Sequence, residues 1–266
     1  MKIPAASIAG TEKWMPRSAI FVSGRKLEIA SFYMSNHEVT RGEYKAVMGE
    51  DPSGAKAYDK DGKELTGDAT KNNPVNNVSW YDALVYCNKR SIMENLTPCY
   101  AIGEETDPKD WGSVPRGTYN TWKWNAATCD FKANGYRLPT EAEWEWAARG
   151  GENYKYAGSN NADEVAWYID NTLAIGTTDV MTKKANAYGL YDMSGNVEEW
   201  CWDQYERSIS SDTLSSGLDS DARRCDRGGN FQSGDITLIV SYRSYGEPYS
   251  GGFNGNGFRL VRSSIK

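Results

Sequence analysis

GYRLPTEAEWEWAARGG, residues 135–151, carries a helix together with both of its ends. Thr140 followed by Glu143 is a capping box, in which a hydroxyl and an acid three residues on satisfy two backbone N–H groups that the first turn leaves unpaired. Gly150 and Gly151 end the run, because glycine takes the left-handed conformation that closes a helix. Working outward, two more starts have the same logic. Thr40 with Glu43 opens a helix that stops near Gly49, and Ser79 caps WYDALVYCNKRSIM, where Trp80, Leu84 and Cys87 fall on one stripe at helical spacing. Phe32-Tyr33-Met34 and Phe258-Arg259-Leu260-Val261 read as strands. Residues 50–74, 95–135 and 203–226 read as long polar connections dotted with Gly, Pro and Ser. Irregular stretches of that length in a compact fold tend to be functional. No repeat, heptad pattern or linker divides the chain, so the expectation is a single α+β domain over 1–266 with little regular structure.

Composition narrows the function. The chain has 266 residues, a net charge of -6, 10 Trp and 17 Tyr. An acidic chain without a dense Lys/Arg cluster lacks the electrostatic footprint of nucleic-acid binding. There is no run of eighteen apolar residues to span a membrane, and MKIPAASIAG lacks the apolar stretch of a signal peptide, so any membrane link would be an N-terminal anchor missing from this chain. Cys87, Cys99, Cys129, Cys201 and Cys225 form no C-x-x-C pair, and free thiols are favoured over a disulfide framework. His37 is the single histidine, which removes histidine-cluster metal sites and leaves a triad without a supporting motif.

The C-terminal end has the composition of a contact surface. Between Ser244 and Asn256, SYGEPYSGGFNGN, eleven of thirteen residues are Gly, Ser, Tyr, Asn or Phe. Antibody-type loops favour much the same set, since Tyr supplies contact area at low entropy cost and Ser, Gly and Asn supply adaptable hydrogen bonds.

Six phrases taken together resemble the formylglycine-generating-enzyme (sulfatase-modifying factor) family: FYMSNHEVTRGEY at 32–44, PVNNVSWYDALVYCN at 74–88, GYRLPTEAEWEWAARGG at 135–151, NAYGLYDMSGNVEEWCWD at 186–203, RGGNF at 227–231 and GFRLVR at 257–262. They run in the family's order from about residue 20 to the end. The resemblance implies a C-type-lectin-like α+β fold of the formylglycine-generating-enzyme type, rich in loops. Arg137 with Glu141 or Glu143 would tie loops to the helix, and Trp144 and Trp146 would pack the core.

The enzymes of that family use two cysteines a few residues beyond the RGG strand, where soft thiolates hold copper. Here GGNFQSGDITLIVSYRSYG follows Arg227 without a cysteine, and Cys225 lies before it. The related iron-dependent sulfoxide synthases need several histidines. The resemblance therefore implies neither copper nor iron. Calcium-lectin sugar binding also lacks its ligands, because Tyr249 follows Glu247-Pro248 and Ala126 follows Trp124-Asn125. One metal site carries over by position: a structural calcium held by carboxylates of Asp192 and Glu199 and carbonyls of Gly195 and Val197, with Asn196 shaping the turn.

A branch of the family, the variable proteins of diversity-generating retroelements, resembles the C-terminal frame from Arg227-Gly228-Gly229 to Gly257–Arg262 most closely. In that branch adenine-directed copying errors diversify the 3′ end of the gene, and Asn codons yield Tyr, Ser, Gly, Asp, Phe, Ile and Thr but not Lys, Met, Trp, Gln or Glu. From Asn230 to Asn256 there is no Lys, Met or Trp, and Gln232 and Glu247 would be fixed positions. The resemblance implies a non-enzymatic, monomeric display protein at the cell surface or outside the cell, with a variable region at about 227–262 that meets a protein or cell-surface ligand. Tyr242, Tyr245, Tyr249 and Phe253 would anchor contacts. Ser233, Asp235, Ser244, Ser250 and Asn254 would tune polarity. Gly246, Gly251, Gly252 and Gly255 would be neutral, shape-giving outcomes, and Phe231 and Gly234 complete the set. Arg243, Pro248, Gly257 and Phe258 would hold the backbone. The alternatives are a formylglycine-type oxidase using a relocated Cys225 or Cys201, and a fixed interaction module.

Overall fold

The three capping motifs form as read. Helices run over Arg41–Met48, Trp80–Met93 and Glu141–Arg149, each opened by a reciprocal capping box at Thr40, Ser79 and Thr140. The computed structural model describes residues 1–9, 18–22, 24–119, 121–172, 175–206, 223–251 and 254–264. Gly150 closes the third helix in the left-handed conformation. The Trp80–Met93 helix differs from a simple amphipathic stripe. Every residue from Trp80 to Asn88 is buried, so the whole first half of the helix is enclosed.

The strands are short and split among five small sheets. Phe32–Met34 lies centrally in one, between Lys2–Ile3 and Val261–Ser263, and so joins the two ends of the described chain. A four-stranded sheet runs in the order Ser244–Gly246, Arg224–Arg227, Glu198–Gln204, Asn256–Gly257. Its first two junctions are antiparallel and the last is parallel. Around these the chain is largely loop, a loop-rich α+β architecture.

Two expectations change. The strand expected at Phe258–Val261 begins only at Val261. Ahead of it the carbonyls of Phe258 and Leu260 accept from Val39 and Ser35, an irregular segment that offers no ladder to extend. The supposed connections also contain regular structure: Lys56–Tyr58 pairs with Glu64–Leu65 and Gly176–Thr178, and Tyr100–Ala101 pairs with Thr128–Cys129. Such two- and three-residue pairings are too brief to show a period of two in sequence. Of the third connection, 207–222 lie outside the described residues.

The interior is aromatic and ionic. Trp80 Nε1 donates to the Cys201 carbonyl (2.9 Å) and Trp200 Nε1 to the Val78 carbonyl (2.8 Å), which locks the long helix onto the four-stranded sheet. Arg137 makes a two-pronged pair with Glu143 at 2.7 Å on each arm, as expected of the helix tie. Trp144 and Trp146 are both buried in one core cluster. All five cysteines are free thiols, with Cys129 half-buried and the others buried.

Candidate binding surface

Segment 231–255 crosses the outer edge of the four-stranded sheet, and its frame is held from beneath. Arg243 donates twice to Glu141 (2.6 and 2.8 Å), and Arg227 pairs with Glu145. The Pro248 carbonyl accepts from Trp80 N (3.0 Å). Phe258 is fully buried against Tyr44 and Tyr86, and a Cβ on Gly257 would come within 2.5 Å of the Val75 carbonyl oxygen. These four positions hold the backbone, as read from the sequence.

On that frame the side chains form a ladder of alternating cations and rings. The Arg243 guanidinium lies over Tyr205 (4.8 Å), Tyr205 packs on Tyr245 (4.5 Å), and the Arg223 guanidinium covers the other side (4.6 Å from the Tyr245 ring centre). Arg223 then pairs with Glu247 at 2.9 Å. Beside the ladder lies an open cavity of about 390 Å³ lined by Ala19, Tyr205, Ile236, Ile239, Ser241, Tyr242 and Arg243. Ile236 is 64% exposed and Tyr245 45%, unusual for large apolar groups unless they serve contact. Cation–π stacking fixes the rings in place, so little rotamer freedom remains to be lost on binding.

The expected contact residues divide by depth. Tyr242, Tyr245, Gly234 and Asp235 are exposed, and Ser233, Ser244, Ser250, Gly251, Tyr249 and Asn254 are half-buried. Asp235 pairs with Lys155 (3.0 Å). Gly252 and Phe253 lie outside the described residues. Phe231 must be corrected: it is 3% exposed, its N–H bonded to the Asn196 carbonyl, so its ring belongs to the core. Gly255 is likewise buried, with its carbonyl accepting from Glu198 N (2.8 Å). Two glycines are not neutral. A Cβ on Gly246 would overlap the Trp200 ring, and one on Gly251 would lie 2.5 Å from the Asn77 backbone. Tyr205, Arg223, Ile236 and Ile239 were missed by sequence reading. Ile is in the retroelement repertoire, but Tyr205 and Arg223 precede the segment, and nothing in their neighbours marks them as surface partners.

Under the surface lie two joined carboxyl groups. Glu198 and Asp226, on adjacent strands, are hydrogen-bonded to each other, and Ser244 bonds to both. Asn256 Nδ2 donates to Asp226 Oδ2 (2.9 Å), while the buried Asp226 Oδ1 has no hydrogen-bond partner. Burial first, and for Asp226 then the charge of its neighbour, pushes both carboxyls above the ordinary range, so the pair shares a proton.

The family model of the sulfatase-modifying factor enzyme 1-like domain matches residues 8–264. The chain belongs to the formylglycine-generating-enzyme (sulfatase-modifying factor) family. Its fold is similar to that of Treponema denticola variable protein 1, with a TM-score of 0.80 and 32% identity over 99% of this chain and 94% of that one. A chaperone protein LppX from Paenibacillus barcinonensis is 38% identical over 91% of this chain and 83% of its own length. A formylglycine-generating enzyme from Streptomyces coelicolor is 35% identical over 53% of this chain and 51% of its own length.

Two inheritances from the formylglycine-generating family can now be placed. Cys201 and Cys225 lie buried in the core on neighbouring strands, the Cys225 thiol donating to Glu141 (3.2 Å). Burial, then the charge of Glu141, pushes both thiols up, away from the thiolate that soft-metal chemistry needs. The calcium set does not fit. Both Glu199 oxygens are taken by Arg259 (2.6 Å each), and one also accepts from Trp144 Nε1 (2.8 Å). The Val197 N–H and the Asn196 amide instead donate to Glu38 (3.0 and 2.8 Å), and Gly195 N donates to the Gly228 carbonyl (2.9 Å). Asp192 is buried, with Oδ2 accepting from Met181 N (2.7 Å) and Oδ1 unpartnered. Among the described residues no group of three or more acidic, His or Cys side chains could hold a metal. An arginine takes up the charge that calcium would have met. No described helix is long and apolar enough to cross a membrane.

Proposed function

We propose that this protein is a non-enzymatic display scaffold. It recognises a protein or cell-surface ligand, outside the cell, through the surface built by Ser233–Asp235, Tyr242–Gly246, Glu247–Gly251 and Asn254, extended by Ile236, Tyr205 and Arg223. The carrying observation is the stacked Arg243–Tyr205–Tyr245–Arg223 ladder beside an open cavity, mounted on backbone fixed by buried ion pairs. Exposed aromatic groups held rigid are the pattern of a binding hot spot. Likeness to a variable protein over nearly the whole chain supports the reading, and the buried, protonated thiols give no support to oxidase chemistry.

The test is population sequencing of the 3′ end of the gene. Codons for Ser233, Asp235, Ile236, Tyr242, Ser244 and Tyr245 should vary between isolates while Arg227, Arg243, Gly246, Gly257 and Arg259 stay fixed. Identical C-terminal segments across isolates overturn diversification, and copper binding with turnover of a sulfatase-motif peptide overturns the non-enzymatic reading.

A further inference from the structure

The geometry points to a slot for a primary ammonium group at the Glu198–Asp226 carboxyl pair, so that ligands of this surface share a lysine side chain or a free chain N-terminus. The inference rests on the display reading and names the chemistry common to its ligands.

The two acids differ from the other buried carboxylates around them. Glu141, Glu143, Glu145 and Glu199 each have an arginine partner. Glu198 and Asp226 have no cationic partner among the described residues. Asp226 is 2% exposed, yet its Oδ1 has no donor at all. An unpaired buried acceptor is costly, and structures retain one mainly where something else satisfies it.

Register sets the site. Asp226 stands opposite Ser244 on one side and Trp200 on the other, and Glu198 stands opposite Asn256. Glu198 and Ser244 both keep part of their surface in solvent, which opens the pair toward the contact face. An ammonium arriving there meets three acceptors, the Glu198 carboxylate, Asp226 Oδ1 and Ser244 Oγ, for its three N–H bonds. The proton shared by the acids leaves to water as the cation enters. Two carboxylates fall short of the six to eight oxygens calcium takes. The slot is also narrow: Gly246 leaves no room for a Cβ between the Trp200 ring and Asp226 Oδ2. A compact point charge suits it better than a planar guanidinium.

Glu198 and Asp226 precede the variable segment. They would give every variant the same charged anchor, while Ser244 and the surrounding tyrosines adjust access and selectivity.

The experiment uses the full ¹⁵N-labelled chain and acetyl-Gly-Lys-Gly-amide as probe. The Trp200 indole N–H and the amides of Glu198 and Ser244 should shift saturably with the lysine peptide. The Nε-acetyllysine peptide should bind at least tenfold more weakly. Glu198→Gln and Asp226→Asn, each checked for an unchanged amide spectrum, should abolish the shifts, and Asp235→Asn should leave them intact. Equal binding of the acetylated peptide, or binding that survives Glu198→Gln, overturns the slot. Shifts at these residues with calcium alone also overturn it. Failure here with a variable 3′ end removes only the ammonium slot, whereas an invariant 3′ end removes the display reading whatever the peptide does.

Discussion

Gly246 and Gly234 look alike in the sequence and differ entirely in what surrounds them. Gly234 has open space where a Cβ would go, whereas Gly246 faces the Trp200 ring. Gly234→Ser should therefore leave stability within about 0.5 kcal/mol of wild type. Gly246→Ser should lower it by about 1–3 kcal/mol through overpacking, read as the midpoint of urea unfolding. Equal effects of the two would undo the claim that Gly246 belongs to the frame. Arg259 is a second residue with a sharp expectation. It is fully buried against Glu199, and removing one partner of a buried pair strands the other charge. Arg259→Leu should cost about 3–5 kcal/mol by the same measurement.

At the scale of elements, the segment 192–199 is a loop and strand tied by protein groups rather than by a cation. EDTA should leave the thermal midpoint unchanged, and a drop that added calcium restores would return the metal to this loop. The third helix depends on its cap. Thr140 Oγ1 accepts from Glu143 N (3.2 Å) and Glu143 accepts from Thr140 N (2.8 Å), so Thr140→Ala should cost about 1 kcal/mol. This same helix supplies Glu141, Glu143 and Glu145, which pair with Arg243, Arg137 and Arg227. Loss of its cap should thus loosen the contact surface as well, seen as faster amide exchange at Ser244 and Tyr245.

For the whole molecule, the buried acids set a pH dependence. Burial, then the nearby Glu141 charge, pushes Asp203 up to about 7. The native state therefore holds a proton that the unfolded chain has already released, and stability falls as pH rises from about 4 to about 7. Glu43 acts in the opposite sense. Burial would raise its carboxyl, but the hydrogen bonds from His37 and Thr40 outweigh that and bring it to about 2, so its contribution is lost as pH falls from about 4.5 through 2. Urea midpoints across pH 2–8 should peak near pH 4, and Asp203→Asn should flatten the decline above it. A wild-type profile flat from pH 4 to 7 would contradict the assignment.

The capping boxes, helix-ending glycines and ordered family phrases were legible in the sequence, because they are local patterns whose hydrogen bonds close within a few residues. They determined the three helices, the fold family and the position of the contact segment at the C-terminal end. The composition of Ser244–Asn256 also marked that segment as contact-like. What only the tertiary structure decided was depth and partnership. Phe231 and Gly255 turn inward, Gly246 meets Trp200, and Tyr205 and Arg223 join the surface from outside the segment. Glu199 pairs with an arginine sixty residues away rather than with a cation, and Asp226 lies beside Glu198 with an oxygen unpaired. Burial, charge pairing and close approach depend on chain segments far apart in sequence, so no local pattern of residues carries them.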